Sequence, residues 1–253
     1  MRWTRDQLLL ALNLYFRTAF GRQDKSHPPI IALAEYLGRT PSAVSMKLNN
    51  FTSLDPVEQA RGIKGLQGAS QLDREIWHEF HRDRDRLAAE SETLLEKLEP
   101  ASGEASARGS HGTERRPSGP TESRSDVKVR LGQRFFRRVV LDSYNRRCCI
   151  TDLPHEELLR ASHIVPWAES EEHRTNPQNG LCLSATFDAA FDRGLIALDD
   201  EYRILLGNRV QDFLDDPSVA SCFGERAGMK IRLPDKNEPA LELLARHRDR
   251  WKF

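Results

Sequence analysis

Between Leu98 and Val127 the chain carries no Val, Ile, Leu, Met or aromatic residue, only a stretch rich in Gly, Ser, Pro, Arg and Glu that includes Arg115-Arg116-Pro117-Ser118-Gly119-Pro120. A segment with nothing apolar to bury cannot offset the entropy lost on ordering, so residues 99–126 read as a flexible, disordered linker. That one gap splits the chain into a domain over 1–98 and a second over 127–253. The length of 253 residues agrees, since a single core rarely grows so large. No internal repeat is visible.

The 38 Lys and Arg balance the 38 Asp and Glu, which excludes a uniformly basic, histone-like binder and leaves room for a local basic face. Residues 127–150 supply such a face: Lys128, Arg130, Arg134, Arg137, Arg138, Arg146 and Arg147 stand against one acid, Asp142. The choice there is between a solvated helix surface and phosphate contact, and the motif that follows favours phosphate. No run approaches the ~18 consecutive apolar residues that span a bilayer, and the start Met1-Arg2-Trp3-Thr4-Arg5-Asp6 lacks the apolar core of a secretory signal. A cytoplasmic protein with no membrane partner is expected. The four cysteines, Cys148, Cys149, Cys182 and Cys222, are too few and too clustered for a disulfide framework, in keeping with a reducing compartment.

The first domain reads as all-helical. Thr4 and Gln7 have capping-box spacing, and Leu8, Leu9, Leu12, Tyr15 and Phe16 follow at helical intervals. A second helix fits 29–37, Gly38 supplies a tight turn, and Thr40-Pro41 opens a third helix with a capping hydroxyl and a proline at the first position. A further charged helix fits 73–98, with Ile76, Trp77, Phe80, Leu87, Leu94, Leu95 and Leu98 as its apolar contacts and the Arg and Asp run at 82–86 as a solvated face. With small Ala34, then Gly38, then apolar Val44, the second and third helices resemble a helix-turn-helix. The resemblance implies that Ser42, Ala43, Ser45, Met46 and Lys47 face the major groove of DNA. The plain alternative is a helical hairpin with small residues at its crossing.

Three clusters in the second domain carry chemistry: Ser162-His163-Ile164, then Asn179-Gly180-Leu181, then Phe187-Asp188 through Phe191-Asp192-Arg193-Gly194. Residues 158–165 and 181–183 read as strands, 185–192 as a short helix, and 195–206 as a hairpin turning at Asp199-Asp200. The set resembles the HNH nucleases of ββα-metal fold, in particular their predicted restriction-endonuclease branch. The tail Ile231-Arg232-Leu233-Pro234 with Arg246-His247-Arg248 shares the likeness. The overall fold class is then α+β: an all-helical, helix-turn-helix-like domain, a flexible linker and a ββα-metal nuclease domain.

The resemblance assigns His163 as general base, Asn179 as the brace of the intervening loop and of the His163 ring, and Asp188 as metal ligand. Imidazole suits water activation near neutral pH, and a hard carboxylate oxygen suits a divalent cation, with Mg²⁺ the expected one on chemical grounds. Ser162 stands where many relatives carry a second ligand. The positions at which relatives hold structural zinc are Cys149, Asp152, Ser184 and Phe187, with one thiolate of four, so no structural zinc is expected. Cys148 and Cys182 read as buried thiols. Arg160, Arg174 and Arg193 are candidates for clamping the scissile phosphate. The expected partners are double-stranded DNA and a second copy of the chain, with the apolar stripe at 73–98 as dimer surface or as internal core. Two other readings stay open: a helix-turn-helix regulator whose nuclease domain is inactive, and a structure- or RNA-specific nuclease.

Overall fold

Thr4 opens the first helix, α1 (Arg5–Arg17): its hydroxyl accepts from the Gln7 amide while the Gln7 side chain accepts from the Thr4 N–H. The computed structural model describes residues 2–98 and 124–253, divided into two compact units, Met1–Val139 and Val140–Phe253. In the first unit α1 is buried continuously from Leu8 to Phe16, as befits a central helix, with the polar Asn13 in that run donating to Ser91 and Glu92. Helices α2 (Pro28–Leu37), α3 (Pro41–Thr52), α5 (Gln71–Arg82) and α6 (Arg84–Glu96) pack against it, and the short α4 (Pro56–Ala60) follows α3. Gly38 ends α2 in the left-handed conformation (φ 62°), Thr40 caps α3, and Ala34 and Val44 are fully buried. The helix, glycine turn, helix outline is therefore present.

The charged helix expected over 73–98 is two helices. Asp83 (φ −143°, ψ 69°) leaves the helical region, and its carboxylate accepts from the Arg86 amide at 3.2 Å to start α6. The Arg and Asp run at 82–86 is thus a break, not a continuous solvated face. Leu87 is fully buried, and Leu94, Leu95 and Leu98, partly buried, pack against the same core, so this stripe serves the first unit's own core.

Helix α7 (Arg124–Ser143) contains the division between the units, which falls after Val139 and not at 126. The reason is packing: Phe135 meets Phe16 and Phe80 with ring centroids 6.2 and 5.9 Å apart, and Val139 belongs to the same core. The linker expected over 99–126 lies outside the described residues except for 124–126, which form the first turn of α7. The basic excess is largely answered by acids: Arg134 pairs with Glu96, Arg138 with buried Glu92, Arg146 with Asp142 and Glu156, and Arg147 with Asp152.

In the second unit β1 (Leu159–His163) runs antiparallel to β2 (Gly180–Ser184), with His163 opposite Gly180. Helix α8 (Ala185–Asp192) follows β2 at once and packs on both strands, which completes a ββα unit. A second hairpin, β3 (Ile196–Leu198) and β4 (Ile204–Leu206), is followed by α9 (Asn208–Gln211), α10 (Pro217–Cys222) and α11 (Leu241–Trp251), the last packing on β3. Gly194 (φ 60°) ends the α8 turn; a Cβ there would stand 2.2 Å from the Trp251 ring, so only glycine admits this closure.

Candidate active site

His163 is the last residue of β1, where the strand hands over to a loop that returns at Asn179. Its Nε2 lies 2.9 Å from the Arg174 carbonyl oxygen. A carbonyl can only accept, so Nε2 carries the proton and the basic lone pair is on Nδ1. Burial pushes the imidazole down to about 4, against the Arg174 carbonyl, which favours the charged form. At neutral pH the ring is uncharged and able to take a proton. Trp167 meets it edge-on, with centroids 5.6 Å apart and planes at 88°.

Asn179 is fully buried and uses its side chain inside the loop: Oδ1 accepts from the Val165 amide at 2.8 Å, and Nδ2 donates to the carbonyls of Val165 (2.9 Å) and His173 (3.1 Å). It braces the segment whose next carbonyl, that of Arg174, receives His163. Its influence on the ring runs through that backbone.

Asp188 sits partly buried in the first turn of α8, and Asp192 lies one turn further along the same face. The Asp192 acid is pushed up to about 6 by burial and then by the Asp188 charge, with Arg193 and Arg250 opposing, although the side chain keeps solvent access. Among the described residues no three His, Cys, Asp or Glu side chains converge into a metal cage. Two hard carboxylates one turn apart, repelling each other, fit a divalent cation that keeps most of its shell as water. Ser162 is 3% exposed, its hydroxyl lacks a hydrogen-bond partner among the described residues, and strand alternation turns it to the face opposite His163.

The sulfur at the end of the hairpin is that of Cys148, not Cys149: its Sγ accepts from the amides of Ser184 (3.2 Å) and Thr151 (3.4 Å). Cys149 and Cys182 are buried beside it, and burial holds the Cys149 thiol well above its ordinary range. Asp152 pairs with Arg147 and Phe187 packs on Phe223, so those zinc-position residues have other partners.

The candidate phosphate clamps are engaged locally. Arg174 donates from Nε to the Trp167 carbonyl at 3.0 Å and pairs with Glu171 at 3.3 Å; Arg160 donates to the carbonyls of Glu157 and Leu159, and Arg193 to that of Ala189. In the first unit Ser42 and Met46 are exposed on α3 and Ala43 is half-buried. Ser45 donates to the Gln23 carbonyl, and Lys47 is held at 2.7 Å by the fully buried Asp73. Sequence reasoning missed Trp167 and the partner of Asp188. The second had a signal, an acid four residues on along a helix; the first had none, because a loop contact obeys no period.

A family model described as HNH endonuclease matches residues 148–199, which span β1, the His163 loop, β2, α8 and β3. No curated protein matches the chain. With the ββα geometry and this match in hand, residues 148–199 are an HNH endonuclease domain.

Proposed function

We propose that the protein is a metal-dependent DNA endonuclease, a restriction or defence nuclease that hydrolyses phosphodiesters in double-stranded DNA. The observation that carries this reading is the His163 ring, kept neutral by burial and held in one tautomer by the Arg174 carbonyl, within an HNH domain. His163 Nδ1 takes a proton from water as the water oxygen bonds to phosphorus and the bond to the 3′ oxygen breaks. Asn179 keeps the loop in place, and Asp188, with Asp192 beside it, would hold the divalent cation. When bound, Mg²⁺ supplies charge neutralisation on the phosphate and the departing oxygen. The exposed part of α3, Ser42 and Met46 with half-buried Ala43, is the surface proposed to read DNA; Lys47 and Ser45 serve it by fixing the helix.

Nicking of supercoiled plasmid in Mg²⁺ tests the reading. His163→Ala should lower the rate by at least ~10²-fold with DNA affinity nearly intact. Asp188→Ala should depress activity and its Mg²⁺ response together, and chelator should silence the wild type. The second reading is an inactive domain in a DNA-binding regulator. Tight DNA binding with no cleavage in any divalent metal is its signature.

A further inference from the structure

We propose that Trp167 and Arg174 are positioning residues for His163, acting together as a bracket that holds its imidazole in one flip and one tautomer. The inference rests on the reading of His163 as the base. It reassigns Arg174 from a phosphate clamp to a part of the loop's own framework.

A histidine at the end of a strand has a second torsion that turns the ring over, exchanging the places of Nδ1 and Cδ2 and of Nε2 and Cε1, and only one of the two orientations presents the basic nitrogen in a given direction. Here one wall and one acceptor select the orientation. The wall is Trp167, edge-on to the imidazole at 5.6 Å. The acceptor is the Arg174 carbonyl, 2.9 Å from Nε2.

Neither element is left to the loop's chance conformation, because each is tied to the other. The Arg174 side chain folds back so that Nε donates to the Trp167 carbonyl at 3.0 Å, and its guanidinium lies 5.7 Å from the Trp167 ring centre. Glu171 takes a further guanidinium N–H at 3.3 Å. On the other side, Asn179 fixes the carbonyls of His173 and Val165, the residues preceding Arg174 and two before Trp167. One arginine thus supplies the acceptor through its backbone and anchors the wall through its side chain. Catalytic geometry tolerates displacements of about 1 Å poorly, with losses up to ~10²-fold, which is the reason for so much fixing around one ring.

The test uses the full chain labelled with ¹⁵N-histidine and needs no cleavage: long-range ¹H–¹⁵N correlation reads the tautomer of His163, assigned by its loss in His163→Ala. Wild type should show a single Nε2–H tautomer. Trp167→Ala should give an averaged pattern, with kcat on plasmid lowered by about 10-fold or more and KM little changed. Arg174→Gln, which keeps the carbonyl but loses the tie to Trp167, should show the same change more weakly, and Trp167→Phe, which keeps an aromatic wall, should restore most of the loss. Retention of one Nε2–H tautomer in both Trp167→Ala and Arg174→Gln overturns the bracket. If Trp167→Ala fails to fold by circular dichroism, Arg174→Gln alone decides. A fixed tautomer in wild type with undiminished cleavage by His163→Ala sinks the base assignment instead, so the two failures are distinguishable.

Discussion

At the scale of single residues, the chemistry of His163 is set by what surrounds it more than by what it is. An exposed imidazole titrates near ~6.5, whereas burial takes this one down to about 4. A general base works only when deprotonated, so kcat/KM should rise with pH through the free-enzyme value of the base and be flat above it. The expected acid limb therefore lies near pH 4 to 5, well below that of an ordinary histidine, and a cleavage profile in Mg²⁺ measures it. Because the Asp192 acid beside the cation lies at about 6, an acid limb at pH 6 to 7 that persists in Asp192→Asn would show that the titrating base is not a buried His163. The placement of the candidate residues was legible in the sequence: His163, Asn179 and Asp188 stand on the strand end, the loop end and the helix turn expected of them. The depressed imidazole was not legible, because it comes from burial in the folded loop, against the Arg174 carbonyl eleven residues away, and neither follows from spacing.

Elements that announce themselves locally were the readable ones. Thr4 with Gln7, Thr40 with Pro41, and the strict 185–192 helix after a fully buried strand all follow from caps and burial within a few residues. The α5–α6 break was hidden because Asp83 sits in a charged run that also suits a helix surface, and only its own backbone angles reveal the cap. The attachment of 124–139 to the first core was hidden because it depends on Phe135 finding Phe16 and Phe80 across more than fifty residues. Helix α11 lies beyond the family match, yet it clamps α8: His247 stacks on Phe191 with centroids 3.8 Å apart, and its Nε2 donates to the Phe191 carbonyl at 3.0 Å. Burial lowers His247 to about 4. Between pH 6.5 and 4 the unfolded chain binds a proton there that the folded chain refuses, so stability falls as pH falls through that window. The stability lost amounts to up to about 3 kcal/mol for this side chain. Urea unfolding of the second unit at pH 7 and pH 4.5 should show a smaller acid loss in His247→Phe than in wild type. An equal loss in both proteins would mean that His247 does not titrate with folding.

For the whole molecule, the division after Val139 changes how its parts should be separated. Deleting only residues 1–98 strips Phe135 and Val139 of their partners, whereas a fragment beginning at Val140 leaves that apolar surface behind. The shorter fragment is expected to nick plasmid with weaker and less selective cutting, because phosphate contacts persist when base contacts are lost. An unchanged cleavage pattern would remove the first unit from DNA reading.

Stoichiometry is a whole-molecule property too, and it follows from the single His163, Asn179 and Asp188 set in each chain. On the proposed function such a site would act on one strand at a time, so a double-strand break would need two chains acting together or two successive events. The stripe that might have joined two free chains, Leu87, Leu94, Leu95 and Leu98, is committed to the core of the first unit. A stable free dimer needs roughly 800 Å² per partner of well-packed surface. The expected arrangement is a monomer in free solution that pairs on DNA, two chains meeting about the two-fold axis of a palindromic target. Sedimentation without DNA should give the monomer mass. On plasmid, linear product should appear without accumulating nicked circles, at a rate rising with the square of protein concentration when dilute. Nicked circles that accumulate at a rate first-order in protein would instead identify a monomeric nickase, for which the target's symmetry has no role.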